Sequence, residues 1–353
     1  MMNYRIDGGT LYVYEFGRRF DYRNCRDWGR EITKVIIEDG VDELPDSAFE
    51  YFENICEISL PPSLKKIGSY AFQDVCRLTA LSLPASLEEL AENALYIGDG
   101  SRLSSVDIPA ENPYFTSSGG VLFNKDMSTL LKYPSAKRTR KYRVPETVRR
   151  ISDSAFAHSK YLHEVRLPAN LEIIERGAFS FCTRIRELTV PETVEGIPSY
   201  AFFCCESLEK LILPEKAAYL GYESICNCTS LRSVRLPDGI DQIDYAAVGG
   251  NTLLEELVIP EGVTEMNNSA LIDDPSLKKI VLPRTLREIW DHVFQRCESL
   301  EEIEIPENVE YIDSEAFEGC TALKTVYMRS PHIKGDGWLP DGIKDKVEII
   351  RTV

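Results

Sequence analysis

The sequence predicts a solenoid of stacked coils, and three observations carry that prediction. Eleven prolines recur almost on a ruler, at Pro61, Pro84, Pro109, Pro145, Pro168, Pro191, Pro214, Pro237, Pro260, Pro283 and Pro306. Eight of the ten gaps are 23 residues, one is 25 and one is 36; a fixed period in the twenties marks a repeat architecture. Apolar residues hold fixed places within each period. The end of each period alternates apolar with polar residues, as a strand with one buried face does.

The coil is built as follows, with each proline as position 0. Position 6 is aliphatic, as in Ile151, Ile174, Ile197, Ile243 and Ile289. Position 10 is usually Ala, and position 11 is a large apolar plug such as Phe72, Phe156, Phe179, Phe202, Phe294 and Phe317. Position 17 is nearly always Leu, and positions 20 and 22 are aliphatic between polar 19 and 21. That alternation predicts a short strand, and the following proline ends it. Positions 7–15 are too short for an independently stable helix, so a helical or 3₁₀ turn around the position-11 plug is expected there. One coil cannot enclose a core by itself; stability becomes a property of neighbouring coils.

Along the chain, residues 1–35 precede the period and hold a strand-like run, Thr10–Tyr14, and Trp28. They are expected to cap the first coil. A coil led by Glu38 carries Val41, Leu44, Ala48, Phe49, Ile55, Ile58 and Leu60. Repeats then run through 36–328, about twelve coils in one elongated domain, with the long gap read as an insertion over 111–144. Within it, Gly120–Phe123 and Thr129–Lys132 read as a β-hairpin turning at Asn124–Met127. Residues 329–353, with Trp338 and Val347–Ile350, are expected to cap the far end.

The unit Leu-Pro-x₂-Leu-x₂-Ile-x₃-Ala-Phe-x₂-Cys-x₂-Leu-x₂-Leu-x-Leu-Pro resembles the 23-residue leucine-rich repeat of BspA-type bacterial surface proteins. Residues 167–191, LPANLEIIERGAFSFCTRIRELTVP, and 282–306, LPRTLREIWDHVFQRCESLEEIEIP, carry the resemblance most fully. Asn112-Pro113-Tyr114-Phe115 followed by Gly120-Val121-Leu122-Phe123-Asn124-Lys125 is similar to an insertion of that family. The resemblance implies an α/β-type solenoid: a right-handed leucine-rich repeat superhelix with one parallel concave β-sheet, and short helical or 3₁₀ turns and short strands on the convex side. It also implies export or attachment to the cell surface, and work in recognition or adhesion rather than catalysis.

Composition narrows the partners. Fifty-seven acidic against 40 basic residues give a net charge of −17, which disfavours nucleic acid and anionic membrane surfaces. No stretch has the apolar length of a membrane helix. The start, Met1-Met2-Asn3-Tyr4-Arg5, has no apolar leader segment. This and ten cysteines read as free thiols fit a cytoplasmic protein, against the surface location that the resemblance implies, so the compartment stays open.

Five cysteines, Cys182, Cys205, Cys228, Cys297 and Cys320, share position 14, where Asn251 and Asp274 stand in other coils. A small buried slot explains them. Cys182, Cys204, Cys205, Cys226 and Cys228 crowd three coils, which leaves a thiolate metal site or an enzyme built on that cluster as the lesser alternative. His158, His163, His292 and His332 share no motif. No catalytic, metal or cofactor residues are assigned.

The strand face is the chief candidate for binding. Position 19 supplies Glu187, Lys210, Glu256 and Lys279, and position 21 supplies Ile212, Arg235, Val258, Val281 and Tyr327. Ile212, Val258 and Val281 are aliphatic where the pattern calls for polar residues. A basic cluster, Lys137, Arg138, Arg140, Lys141 and Arg143, could attract an acidic partner. The expectation is a monomeric, non-catalytic scaffold that binds another protein. The alternative is an intracellular interaction scaffold with the same surfaces.

Overall fold

A computed structural model of the chain describes residues 2–17 and 21–351. They form two compact units, one of residues 1–140 and 147–162, the other of 141–146 and 163–353. Each is a parallel β-solenoid of stacked coils.

Positions 19–21 form the front ladder. In the first unit it contains Lys34–Ile37 and Glu57–Ser59, then Ala80–Ser82 paired with Ser105–Asp107. In the second unit Lys141–Arg143, Glu164–Arg166, Glu187–Thr189 and Lys210–Ile212 run side by side, all parallel. Glu256–Val258 pairs with Lys279–Val281, and Glu302–Ile305 pairs with Thr325–Met328, which pairs with Glu348–Arg351. Positions 5–6 form a rear ladder of two-residue strands, such as Gln242–Ile243, Glu265–Met266, Glu288–Ile289 and Tyr311–Ile312. In register, each residue meets its counterpart 23 positions on, as Glu187 meets Lys210.

The expected helical turns are absent from the coils. The described helices, Tyr22–Cys25, Arg26–Gly29 and Asp341–Lys344, lie outside them. Between the ladders, positions 9 and 13 take left-handed backbone: Tyr200 and Cys204, Glu223 and Asn227, Ser269 and Asp273, His292 and Arg296 all have φ between 48° and 62°. A right-handed helix cannot pass through such residues. The reason lies in where the N–H groups go. A helix would satisfy them within its own coil. Here the position-11 N–H donates to the position-10 carbonyl of the next coil, at 2.9 Å for Phe179 to Ala201 and 2.8 Å for Phe202 to Ser224. The turn thus becomes a third intercoil ladder, which offsets the cost of the left-handed residues, about 1–2 kcal/mol each.

The core is as the period predicts. The plugs Phe72, Phe156, Phe179, Phe202, Phe294 and Phe317 are fully buried. They stack on one another, with ring centroids 5.9 Å apart for Phe179–Phe202 and 5.0 Å for Phe294–Phe317. Trp338 lies edge-on to Phe317 at 5.7 Å. In the first unit, Trp28 packs edge-on against Phe52 at 5.6 Å.

Phe115–Ser118, Val121–Asn124 and Thr129–Lys132 form antiparallel strands, and the last of these pairs in parallel with Arg150–Ile151. The insertion therefore supplies a rear-ladder strand itself, with Leu122, Phe123, Leu130 and Tyr133 buried. Asn112 anchors it. The Asn112 amide donates to the carbonyls of Ala85 (3.0 Å) and Leu87 (2.7 Å), and its oxygen accepts the N–H groups of Tyr114 (2.8 Å) and Phe115 (2.7 Å). No helix among the described residues is long and apolar enough to cross a membrane.

Candidate functional site

The front ladder of the second unit presents positions 19 and 21 outward and position 20 inward, an alternation seen in Glu187–Thr189, Lys210–Ile212, Glu256–Val258 and Lys279–Val281. Val258 is 60% exposed, Val281 44% and Ile212 41%. Val258 and Val281 are direct neighbours in register, and so are Glu256 and Lys279. Glu187 and Lys210 repeat that pair beside Thr189 and Ile212. Among the described residues, none of these four charged side chains closes an ion pair, so all four remain open to a partner.

Two sequence-predicted members sit differently. Arg235 interrupts the aliphatic run, and its coil forms no ladder strand at 233–235. Its guanidinium is held by Glu215 at 2.8 Å and Asp238 at 2.9 Å. Tyr327 is half-buried, in register with Glu304 on one side and Ile350 on the other. The apolar patch is therefore the Val258–Val281 pair, with Ile212 as a separate exposed residue two coils before Val258. A cleft of about 670 Å³ opens on the same ladder, lined by Glu164, Arg166, Glu187, Thr189 and Glu192 among others.

The residues of the basic cluster are divided between the two units. In the second unit, Lys141 pairs with Glu164 at 2.6 Å and Arg143 with Glu146 at 2.7 Å. Lys141 and Arg166 hold the Glu164 carboxyl below its ordinary range. In the first unit, Lys137 and Arg138 join Arg102, Lys160 and Tyr161 around a cleft of about 780 Å³. Lys137 Nζ is held by the Gly119 carbonyl and Lys160 Nζ by the Ser101 carbonyl, at 2.8 Å for the latter. Arg140 is exposed. Sequence reasoning missed Arg102 and Lys160, because the irregular coil spacing around them hid which residues face each other. It also missed Tyr219, Tyr222 and Tyr245, each about half exposed. These stand at positions 5 and 8, away from the front ladder.

All ten cysteines are free thiols. At position 14 four of the thiols have a fixed task. Cys205, Cys228, Cys297 and Cys320 donate to the carbonyls of Phe179, Phe202, Leu271 and Phe294, at 3.0–3.4 Å. Each carbonyl belongs to the position-11 plug of the preceding coil. Burial pushes the Cys228 and Cys320 thiols up to about 12 and raises Cys205 and Cys226 as well. Metal ligation and nucleophilic chemistry both use the thiolate, and these surroundings oppose it.

Coils of 23 residues, lined by leucine and stacked through parallel ladders, define the class: a leucine-rich repeat solenoid. The chain belongs to the BspA type leucine-rich repeat family, whose repeat region matches in 6 copies over residues 23–132, 132–252 and 226–334. A comparison with curated proteins gives no match. Among solved structures, a leucine-rich repeat protein from Eubacterium ventriosum is 18% identical, with a TM-score of 0.59 over 89% of this chain and 91% of that one. A leucine-rich repeat protein from Bacteroides ovatus is 20% identical, with a TM-score of 0.50 over 100% of this chain and 98% of that one. At these identities the likeness speaks for the fold.

Proposed function

We propose that the chain is a non-catalytic protein-binding scaffold serving bacterial recognition or adhesion, with the front ladder of its second unit as the contact face. The observation that carries this reading is the Val258–Val281 pair. Two exposed β-branched residues stand in register where neighbouring coils place polar or charged ones. Glu256 and Lys279 flank them, and Glu187 and Lys210 stand beside Ile212. An apolar centre with a charged rim is what a protein partner covers well. Domain boundaries follow the same reading: caps at 1–35 and 329–353 around a repeat array, with the insertion as a second contact region.

Capture from the surroundings of the native cells tests it. The Val258→Asp/Val281→Asp double variant should keep its unfolding midpoint and lose the partner that the parent chain captures. Undiminished capture would rule out this face. Fractionation of the native cells separates a surface role from an intracellular scaffold.

A further inference from the structure

His292 stands at position 9 of its coil, beside Glu315 at position 9 of the next. Its Nδ1 bonds the Asp291 carboxylate at 3.0 Å. On the opposite side of the ring, Nε2 lies 3.2 Å from Glu315 Oε2 and 3.3 Å from Glu318 Oε2. Among the described contacts, neither Nε2 approach is a hydrogen bond. Glu318 is held in turn by the Gln295 side-chain amide, which donates to the same Oε2. Donor atoms of Asp291, His292 and Glu315 lie within 4.8 Å of one another.

We propose that His292, Glu315 and Glu318 bind a first-row divalent transition-metal ion, of which zinc is the representative. An imidazolium has a single Nε2–H, and two carboxylates converge on it at distances beyond the roughly 2.7–2.9 Å of a charged hydrogen bond. A cation suits the spacing better. An ion bound at about 2.0–2.1 Å to a nitrogen and an oxygen in a tetrahedral shell holds that pair roughly 3.3–3.4 Å apart, close to the separation of Nε2 from each glutamate oxygen. Asp291 on Nδ1 completes the carboxylate–histidine–metal arrangement, which fixes the tautomer that leaves the Nε2 lone pair facing the ion. Gln295 does the same orienting work for Glu318. Imidazole beside carboxylate selects a transition ion over calcium or magnesium, which favour all-oxygen shells. The His292 side chain is 26% exposed, and those of Glu315 and Glu318 are 61% and 55%. The site is thus open to an incoming ion, and water can complete the shell. The ion would clip the coil that begins at Pro283 to the one that begins at Pro306.

Titration of the full-length, reduced chain with Co(II) tests this, with absorbance following the visible bands of the bound ion and Zn(II) added as competitor. The expected result is one equivalent displaced by zinc and unaffected by calcium, with no thiolate-to-cobalt charge transfer. His292→Gln and the Glu315→Gln/Glu318→Gln pair should each weaken binding at least tenfold. Asp291→Asn should weaken it by about tenfold or more through the ring. The two glutamates are exposed, so their variant remains folded if the histidine variant does not, and circular dichroism checks both. No saturation by about 1 mM, thiolate charge transfer, or undiminished affinity in the glutamate variant would each overturn the site. The cluster would then be a set of side-chain contacts without an ion.

Discussion

Asp274→Asn should stabilise the protein at neutral pH, and the gain should shrink in acid. Asp274 fills the position-14 slot with no exposure to solvent. Its Oδ1 accepts the Asn251 N–H at 2.7 Å, but its Oδ2 has no partner. Every neighbour in the slot brings a donor. Cys297 and Cys320 use S–H, and Asn251 uses its amide on the carbonyls of Ile225 (2.9 Å) and Val248. An aspartate brings one only when protonated. Burial pushes its carboxyl well above the ordinary range, with Asp273 adding to the rise. In the unfolded chain the group titrates near 3.9. The folded state therefore holds a proton that the unfolded state gives up, and stability falls as pH rises from that value through the folded one. Asparagine keeps the acceptor, supplies the donor and does not titrate. Satisfying one buried polar group is worth about 1–3 kcal/mol. Urea unfolding of both proteins at pH 4 and pH 8 measures it as a difference, in which the other carboxylates cancel. A variant no more stable than the parent at pH 8, or a larger gain at pH 4, would refute the assignment.

Phe179→Ala should cost about 3–5 kcal/mol as a plug removed from a stacked column, whereas Glu187→Ala should stay within about 0.5 kcal/mol; urea midpoints of the two variants check the assignment of faces. Asn112→Ala should cost about 3 kcal/mol or more, since it strips partners from two carbonyls and two N–H groups at once, and the loss should appear in thermal unfolding. Under a thiol-reactive dye the exposed Cys56 should react first, and Cys205 and Cys228 only on unfolding, because they are buried and their thiols are held protonated. Ten equally fast thiols would contradict the packing.

Most of the fold was legible because the period repeats one decision many times. Phe179, Leu188 and Val190 each occupy a column whose other members make the same choice, so a single ambiguous coil could not mislead. The turn at positions 7–15 was not legible. Its left-handed residues, such as Phe181, Tyr200, Cys204 and Glu223, are mostly not the glycines that usually announce such backbone. The conformation is imposed by the next coil, which takes the N–H groups, and nothing within one coil encodes it. Asn112 was legible only as part of a resemblance; its four bonds explain why that position holds an amide.

The sites were less legible, for a reason that the ion pairs make plain. Lys34 meets Glu57, Lys65 meets Glu88, Glu255 meets Lys278, Asp273 meets Arg296 and Glu301 meets Lys324. In each pair the second residue is 23 positions beyond the first. Along this chain the nearest surface neighbour of residue i is i+23, just as i+4 is on a helix. Reading columns at that offset would have put Glu315 beside His292 and Glu318 beside Gln295 from the sequence alone. A search for motifs in consecutive residues cannot find such a site, because its members are dispersed by one full coil. Each exposed pair adds little stability, at most about 1 kcal/mol. Together they penalise a slipped stack, since moving a coil by one residue separates the opposite charges while the apolar columns also fall out of line. The same spacing that holds the coils in register therefore also assembles whatever chemistry the surface has, and it does so between coils rather than within them.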